Sequence, residues 1–236
     1  MNSLYVVVAL CVFASCYCEN DLVLVDNTYM KPFDLGSEIK LRYFDIRGRG
    51  EKIRLILHAA GVKFTDERIS EGWEEMKKDT DMFAFSQMPQ IEIDGKHYVQ
   101  SGAIVRHIAR SARLYGETHE DALMIDMVYE GAQDFSSKLG RVKYGGKWEE
   151  EKDDYFNNVA PKWLGFLENL LRKNPPFNHF VGEKLSLADI GVWDVLDSHI
   201  QLSQNPELLS PFKGLKRFYN VFQKNVALKT YIDSRD

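Results

Sequence analysis

Residues 39–61 read IKLRYFDIRGRGEKIRLILHAAG, and this stretch decides how the rest of the chain is read. It begins as a strand in which Leu41 and Tyr43 point to one face and Arg42 and Phe44 to the other. A glycine-punctuated turn, RGRG, follows. Ile53, Ile56, Leu57 and Ala60 then recur at helical spacing until Gly61 stops the helix. Tyr43 therefore falls at the end of a strand, beside a turn with two arginines and at the mouth of a helix. A phenol placed there can aim its O–H at an anion in a cleft, although an isolated tyrosine in a strand is more often simply a strand aromatic.

On the C-terminal side, residues 63–69 read as a second strand and 73–80 as a short helix or irregular loop. Residues 90–93 and 96–99 are strands joined by the turn signal Asp94-Gly95. Ser101 is then expected to cap a helix with apolar positions Ile104, Val105, Ile108 and Ala112, ending at Gly116. The order β-α-β-(α)-β-β-α predicts an α/β unit of thioredoxin-like type over 39–116. Beyond it the strand signals vanish. Met124, Met127, Val128, Gly131 and Phe135 set one long helical seam; Phe156, Val159, Trp163, Phe166, Leu167 and Leu170 set another. Gly145-Gly146 separates the two, Pro161 should kink the second, and Pro175-Pro176 should end it. Ser186 and Asp189 form a reciprocal cap stapled by Leu185 and Ile190, and that explains Asp189 without chemistry. A last helix is expected over 211–224. Residues 117–236 thus read as all-helical, and the fold class as α/β plus all-α.

On the N-terminal side, residues 4–14 are eleven apolar residues followed by small and then polar ones. The run is shorter than the roughly 20 residues that span a bilayer and suits a cleaved secretory signal over 1–18; an uncleaved anchor and a buried strand are the other readings. Residues 19–38 form an extension without clear period. All three cysteines, Cys11, Cys16 and Cys18, fall within the expected signal. A mature, secreted chain would then carry neither a disulfide nor a thiol nucleophile. The net charge of -5, without a basic stripe, argues against nucleic acid as a partner. No membrane insertion of the mature chain is expected.

Two further features carry chemistry. Pro89 biases Met88 to an extended conformation, and a cis bond there would turn the Met88 backbone groups outward, where a bound peptide could pair with them. Gln100-Ser101 stands at a helix start, whose N–H groups and dipole favour a carboxylate. Taken singly these are a turn proline and a helix cap. Taken with Tyr43 they describe a site for a short anionic peptide that brings a thiol.

At this point the chain resembles the glutathione transferases, and within them the sigma class that includes glutathione-dependent prostaglandin D synthase. The resemblance spans residue 40 to the end and rests on KLRYFDIRGRGE, Trp73 with Lys77, QMPQIEIDG, QSGAI and SLADI. The leader and extension are similar to those of secreted sigma-class members of parasitic worms. The resemblance implies that Tyr43 is the catalytic tyrosine and that Arg49 assists it. It assigns Trp73 and Lys77 to the glycyl end of glutathione, and Gln87, Met88 and Pro89 to its peptide backbone. Gln100 and Ser101 would take the γ-glutamyl group, and Asp134 would reach across a homodimer to the neighbouring subunit's γ-glutamyl amine. It implies glutathione as co-substrate, small electrophiles as second substrates and prostaglandin isomerisation as a further activity. The electrophile pocket is expected between the two halves, near residues 138–144. Gly50 and Asp45 stand where alanine and asparagine are more usual in the family. Glu130, Gln133 and Asp134 occupy the positions of a divalent-cation cluster in the prostaglandin synthases; the glutamine spoils that cluster, and no metal is expected. The competing reading is a non-catalytic, crystallin-like or ligand-carrying relative. A thiol–disulfide oxidoreductase is excluded, because no cysteine follows Cys18.

Overall fold

The structure, a computed structural model, describes residues 33–176 and 178–235. The expected leader, its three cysteines and the extension as far as residue 32 lie outside the described residues.

Strand β1 (Ile39–Phe44) is an inner strand of a four-stranded sheet with β2 (Thr65–Ile69), β3 (Gln90–Ile93) and β4 (Lys96–Val99), in the order β2-β1-β3-β4. β1 and β2 run parallel and are joined by helix α1 (Gly48–Ala59), because a parallel pair needs a crossover. β3 and β4 follow antiparallel, and their turn places Asp94 and Gly95 at φ 47° and 77°, the pair of positive values that a tight hairpin turn requires. Asp94 Oδ1 also accepts the N–H groups of Ser37 and Glu38, which ties down the chain entering β1. Helices α2 (Trp73–Met76) and α3 (Ser101–Ser111) complete the thioredoxin-like half. β2 begins two residues later than expected. Arg42 is buried although it opposes Leu41, since Glu67, Gln90 and Glu92 all accept from its guanidinium.

The second half is all-helical: α4 (His119–Tyr144), α5 (Trp148–Asp154), α6 (Ala160–Leu171), α7 (Leu187–Ser203), α8 (Lys213–Phe222) and α9 (Val226–Ser234). Both expected seams are displaced. In α4 the buried face is Ile125, Val128, Tyr129, Ala132, Phe135 and Leu139, while Met127 is 46% exposed. In α6 it is Ala160, Leu164, Leu167 and Leu171, with Phe166 turned outward. Each stripe of large apolar residues is wider than the buried face, and the packing partner chooses which edge is covered.

Just before Pro161, where a kink is expected, the structure has a π-helical turn, Tyr155–Val159, between α5 and α6. Proline offers no N–H, and the Ala160 N–H before it bonds back to the Tyr155 carbonyl, five residues away. Helix α9 is an element beyond the expected last helix. Asn225 separates it from α8 and caps it by accepting the Ala227 N–H at 3.0 Å. The Ser186–Asp189 cap is present: Ser186 N–H and hydroxyl both reach Asp189 Oδ2, at 2.9 and 3.1 Å. Asp189 Oδ1 accepts from Phe180 N–H at 2.7 Å, so this fully buried carboxylate is structural. α7 runs through the core, with Trp193 stacked against Tyr219 and Phe222; truncation to alanine there would cost about 3–5 kcal/mol. Among the described residues no helix is long and apolar enough to cross a membrane.

Candidate active site

The sheet register brings the three sequence features to one edge. β3 pairs with β1 as far as Gln90 opposite Arg42, and with β4 as far as Gln90 opposite Val99. The next residue on each strand is Tyr43 on β1, Pro89 before β3 and Gln100 after β4. Neighbouring strands lie about 4.8 Å apart, so Tyr43 and Gln100 flank the proline across about 10 Å. The Met88–Pro89 bond is cis, as the sequence suggests.

Tyr43 is 7% exposed and packs with Phe83 and Met88, against Phe44, Trp73 and Met76. Its oxygen accepts the Arg49 backbone N–H at 3.0 Å, and among the described residues the phenol donates to no acceptor. The RGRG turn makes this approach possible. Gly48 has φ +42°, and a Cβ there would stand 2.7 Å from the phenol oxygen. A Cβ on Gly50 would stand 2.6 Å from Tyr43 Cδ1, so the glycine found in place of the more usual alanine leaves room for this ring position. Burial pushes the phenol above the ordinary tyrosine value, while the Arg49 N–H and the Arg49 charge pull less strongly the other way. Tyr43 is therefore protonated at neutral pH: it can offer its O–H to an anion and cannot serve as a general base. Arg49 is exposed beside it and makes no side-chain hydrogen bond or ion pair among the described residues.

Ser101 departs from expectation. It is the first residue of α3 rather than its cap; Gln100 is the cap residue, at φ 73° and ψ 101°, with no side-chain capping bond. A non-glycine residue at positive φ is costly and concentrates at functional sites. Neither the Gln100 amide nor the Ser101 hydroxyl has a partner among the described residues, so both stay available beside the helix N-terminus.

Trp73 joins the Tyr43 cluster through edge contacts with Phe44 and Phe83, at 5.6 and 5.1 Å between ring centres. Lys77, one turn on, pairs with Glu74 at 2.5 Å. Gln87 is exposed beside buried Met88. Asp134 stands apart: it is exposed on α4 and makes no hydrogen bond or ion pair among the described residues. Of its neighbours in the suspected cation cluster, Glu130 is engaged by Arg106 and Gln133 by Lys52. Among the described residues no three His, Cys, Asp or Glu side chains are grouped so as to hold a metal ion. Tyr144, at the end of α4, is largely exposed, on the stretch expected to border a second substrate.

Sequence reading missed the residues that brace this edge. Glu51 in the first turn of α1 is 1% exposed and accepts from Tyr231 and Arg235, both contributed by the α9 segment. The run EKIR hints at buried charge, but nothing local identifies the partners. A separate cavity of about 650 Å³, lined by Arg110, Tyr115, Val181 and Leu185, lies at the far end of α3 and includes none of the expected site residues.

The chain matches the glutathione S-transferase N-terminal domain over residues 39–110 and the glutathione S-transferase C-terminal domain over 133–235. It is 37% identical over 198 residues to a glutathione S-transferase of Dirofilaria immitis, covering 84% of this chain and 93% of that one. A glutathione S-transferase P of Caenorhabditis elegans is 36% identical over 199 residues, with the same coverage. Among solved structures, the Pi-class glutathione S-transferase of Onchocerca volvulus superposes with a TM-score of 0.79 at 37% identity, covering 85% of this chain and 94% of that one. A glutathione S-transferase of Ascaris lumbricoides superposes with a TM-score of 0.74 at 34% identity, covering 85% of this chain and 98% of that one. With a thioredoxin-like half, an all-helical half and this relatedness along nearly all of the described chain, the protein belongs to the glutathione S-transferase family.

Proposed function

We propose that the chain binds glutathione along the Tyr43–Pro89–Gln100 edge and holds its thiol as a thiolate for attack on an electrophile. The observation that carries this is the Tyr43 phenol: protonated, buried, and with its own proton uncommitted. A thiol of ordinary pKa, about 8.5, is mostly protonated at neutral pH. Tyr43 supplies an O–H donor to the sulfur. The Arg49 N–H polarises that O–H by donating to the same oxygen, and the Arg49 guanidinium adds positive potential. Lowering the thiol pKa by about two units takes about 2.7 kcal/mol, within reach of one charge-assisted hydrogen bond and a nearby cation.

The γ-glutamyl carboxylate is assigned to Gln100, Ser101 and the N-terminus of α3, the peptide backbone to Gln87, Met88 and Pro89, and the glycyl end to Trp73 and Lys77. Asp134, exposed and without a partner among the described residues, is assigned to the γ-glutamyl amine of a second copy in a homodimer. The electrophile is assigned to the side of Tyr43 bordered by Tyr144. The finer expectations, sigma-class membership, isomerisation of a prostaglandin endoperoxide and export of a chain cleaved near residue 18, rest on the resemblance of the quoted motifs and of the apolar leader. Supplying the endoperoxide with glutathione and identifying the product tests the second activity.

An ultraviolet difference spectrum of the glutathione complex tests the central proposal. A thiolate band at neutral pH is expected, and its absence would refute the role of Tyr43. Conjugation of glutathione to chlorodinitrobenzene separates the enzyme from a non-catalytic carrier.

A further inference from the structure

We infer that Arg235, from the far end of the chain, is a positioning residue for Tyr43; this rests on the thiolate role proposed above. The RGRG turn that delivers the Arg49 N–H is held from beneath by a buried network of ions. Arg54, fully buried, donates to the Ile46 and Arg47 carbonyls at 3.1 and 3.4 Å and is itself paired with Asp66 and Glu51. Arg47 reaches Asp197 on α7 at 3.3 Å. Arg235 closes the circuit: Nη1 meets Glu51 Oε1 at 2.7 Å, Nη2 meets Asp197 Oδ2 at 2.5 Å, and the guanidinium lies 4.6 Å from the Trp193 ring centre. Its side chain is only 6% exposed. One planar cation thus bridges the first turn of α1 to α7, a task that suits a guanidinium fork and not an ammonium point charge.

The link to chemistry is steric. Gly48 and Gly50 of the clamped turn lie against the Tyr43 oxygen and ring, with no room for even a methyl group. A shift of the turn must therefore move the phenol or the N–H that polarises it. Tyr231 and Tyr219 add hydrogen bonds to Glu51 and Asp197 at 3.0 and 2.6 Å. Asp194 on α7 and Lys52 on α1 are further buried titratable groups facing this network, and His58 stacks on Tyr231.

The test is the pH dependence of the bound thiolate band in Arg235→Met, Arg235→Lys and Tyr231→Phe, with Lys229→Ala as a surface control on α9. Arg235→Met is expected to titrate at least about half a pH unit higher, roughly threefold less thiolate on the lower limb. Its kcat should fall correspondingly, with the KM for glutathione, set at the Gln100–Ser101 edge, within twofold of wild type. Arg235→Lys should recover only part of the shift, Tyr231→Phe should show a smaller shift in the same direction, and Lys229→Ala none. If Arg235→Met does not fold, the lysine and Tyr231 variants decide. Wild-type titration in every folded variant would overturn the positioning role. Absence of a thiolate band in the wild type would overturn the proposed function instead.

Discussion

The backbone N–H of Arg49 donates to the phenol oxygen of Tyr43 at 3.0 Å, so the oxygen accepts from the protein while its own proton goes to no acceptor among the described residues. A hydroxyl that accepts one hydrogen bond becomes a stronger donor of the next. Replacing Tyr43 by phenylalanine is expected to lower kcat for aryl halide conjugation roughly 10- to 100-fold near neutral pH, as a thiol pKa of about 8.5 is restored. The KM for glutathione should change less than about twofold. Steady-state kinetics on both substrates check this, and an unchanged kcat would remove Tyr43 from the chemistry.

Gly48 offers a sharper probe of the same contact. At φ +42° any side chain is strained, and its Cβ would stand 2.7 Å from the Tyr43 oxygen. Gly48→Ala should cost about 1–2 kcal/mol of stability and displace the phenol. A drop in kcat larger than the fraction of protein lost to unfolding, measured below the melting transition, is the expected result.

Two serines at helix starts should behave oppositely. Ser186 reaches Asp189 and caps α7, so Ser186→Ala should lower stability by about 0.5–2 kcal/mol with little effect on glutathione KM. The Ser101 side chain makes no capping bond among the described residues, so Ser101→Ala should leave the urea midpoint nearly unchanged while raising that KM several-fold. Equal stability losses in the two variants would place Ser101 in a structural role.

His199 is fully buried, stacked on Phe135 at 3.8 Å between ring centres. Its Nδ1–H donates to the Val195 carbonyl at 2.6 Å, leaving Nε2 to accept from Tyr155 at 2.8 Å, and burial drops its pKa to about 4. The unfolded imidazole takes a proton near pH 6.5 and the folded one does not. Stability from the neutral ring is therefore complete above about pH 6.5 and is lost as pH falls toward 4, by on the order of 3 kcal/mol. Asp194, pushed up to about 7 chiefly by burial, works in the opposite sense: the folded carboxyl holds its proton where the unfolded one has released it. The wild-type slope alone would blur the two. The stability gap between wild type and His199→Phe isolates the histidine, and it should narrow between pH 7 and pH 4.5 in urea titrations.

Much of the site was legible because its signals are local. A strand ending in Tyr43, a turn that only glycines permit, a proline before β3 and a polar pair opening α3 each announce themselves within a few residues. The register of the sheet then brings them together without further instruction. The buried faces of α4 and α6 were less legible, since a broad apolar stripe does not reveal which edge its neighbour will cover. The Ser101 cap was misread for a related reason: a serine before a helix fits either N-cap or the first turn, and the backbone at Gln100 decided between them.

The strand–helix order of the first half, the all-helical character of the second, the candidate tyrosine and the absence of a cysteine after residue 18 follow from the amino-acid sequence alone, because periodicity, turn residues and composition are properties of the chain itself. What holds the glycine-rich turn beside Tyr43 in place was decided only in three dimensions. Glu51 meets Arg235 across 184 positions of chain and Arg47 meets Asp197 across 150. Charges so far apart in sequence find one another only once hydrophobic burial has brought α1, α7 and α9 together, and no local pattern encodes which carboxylate will face which guanidinium.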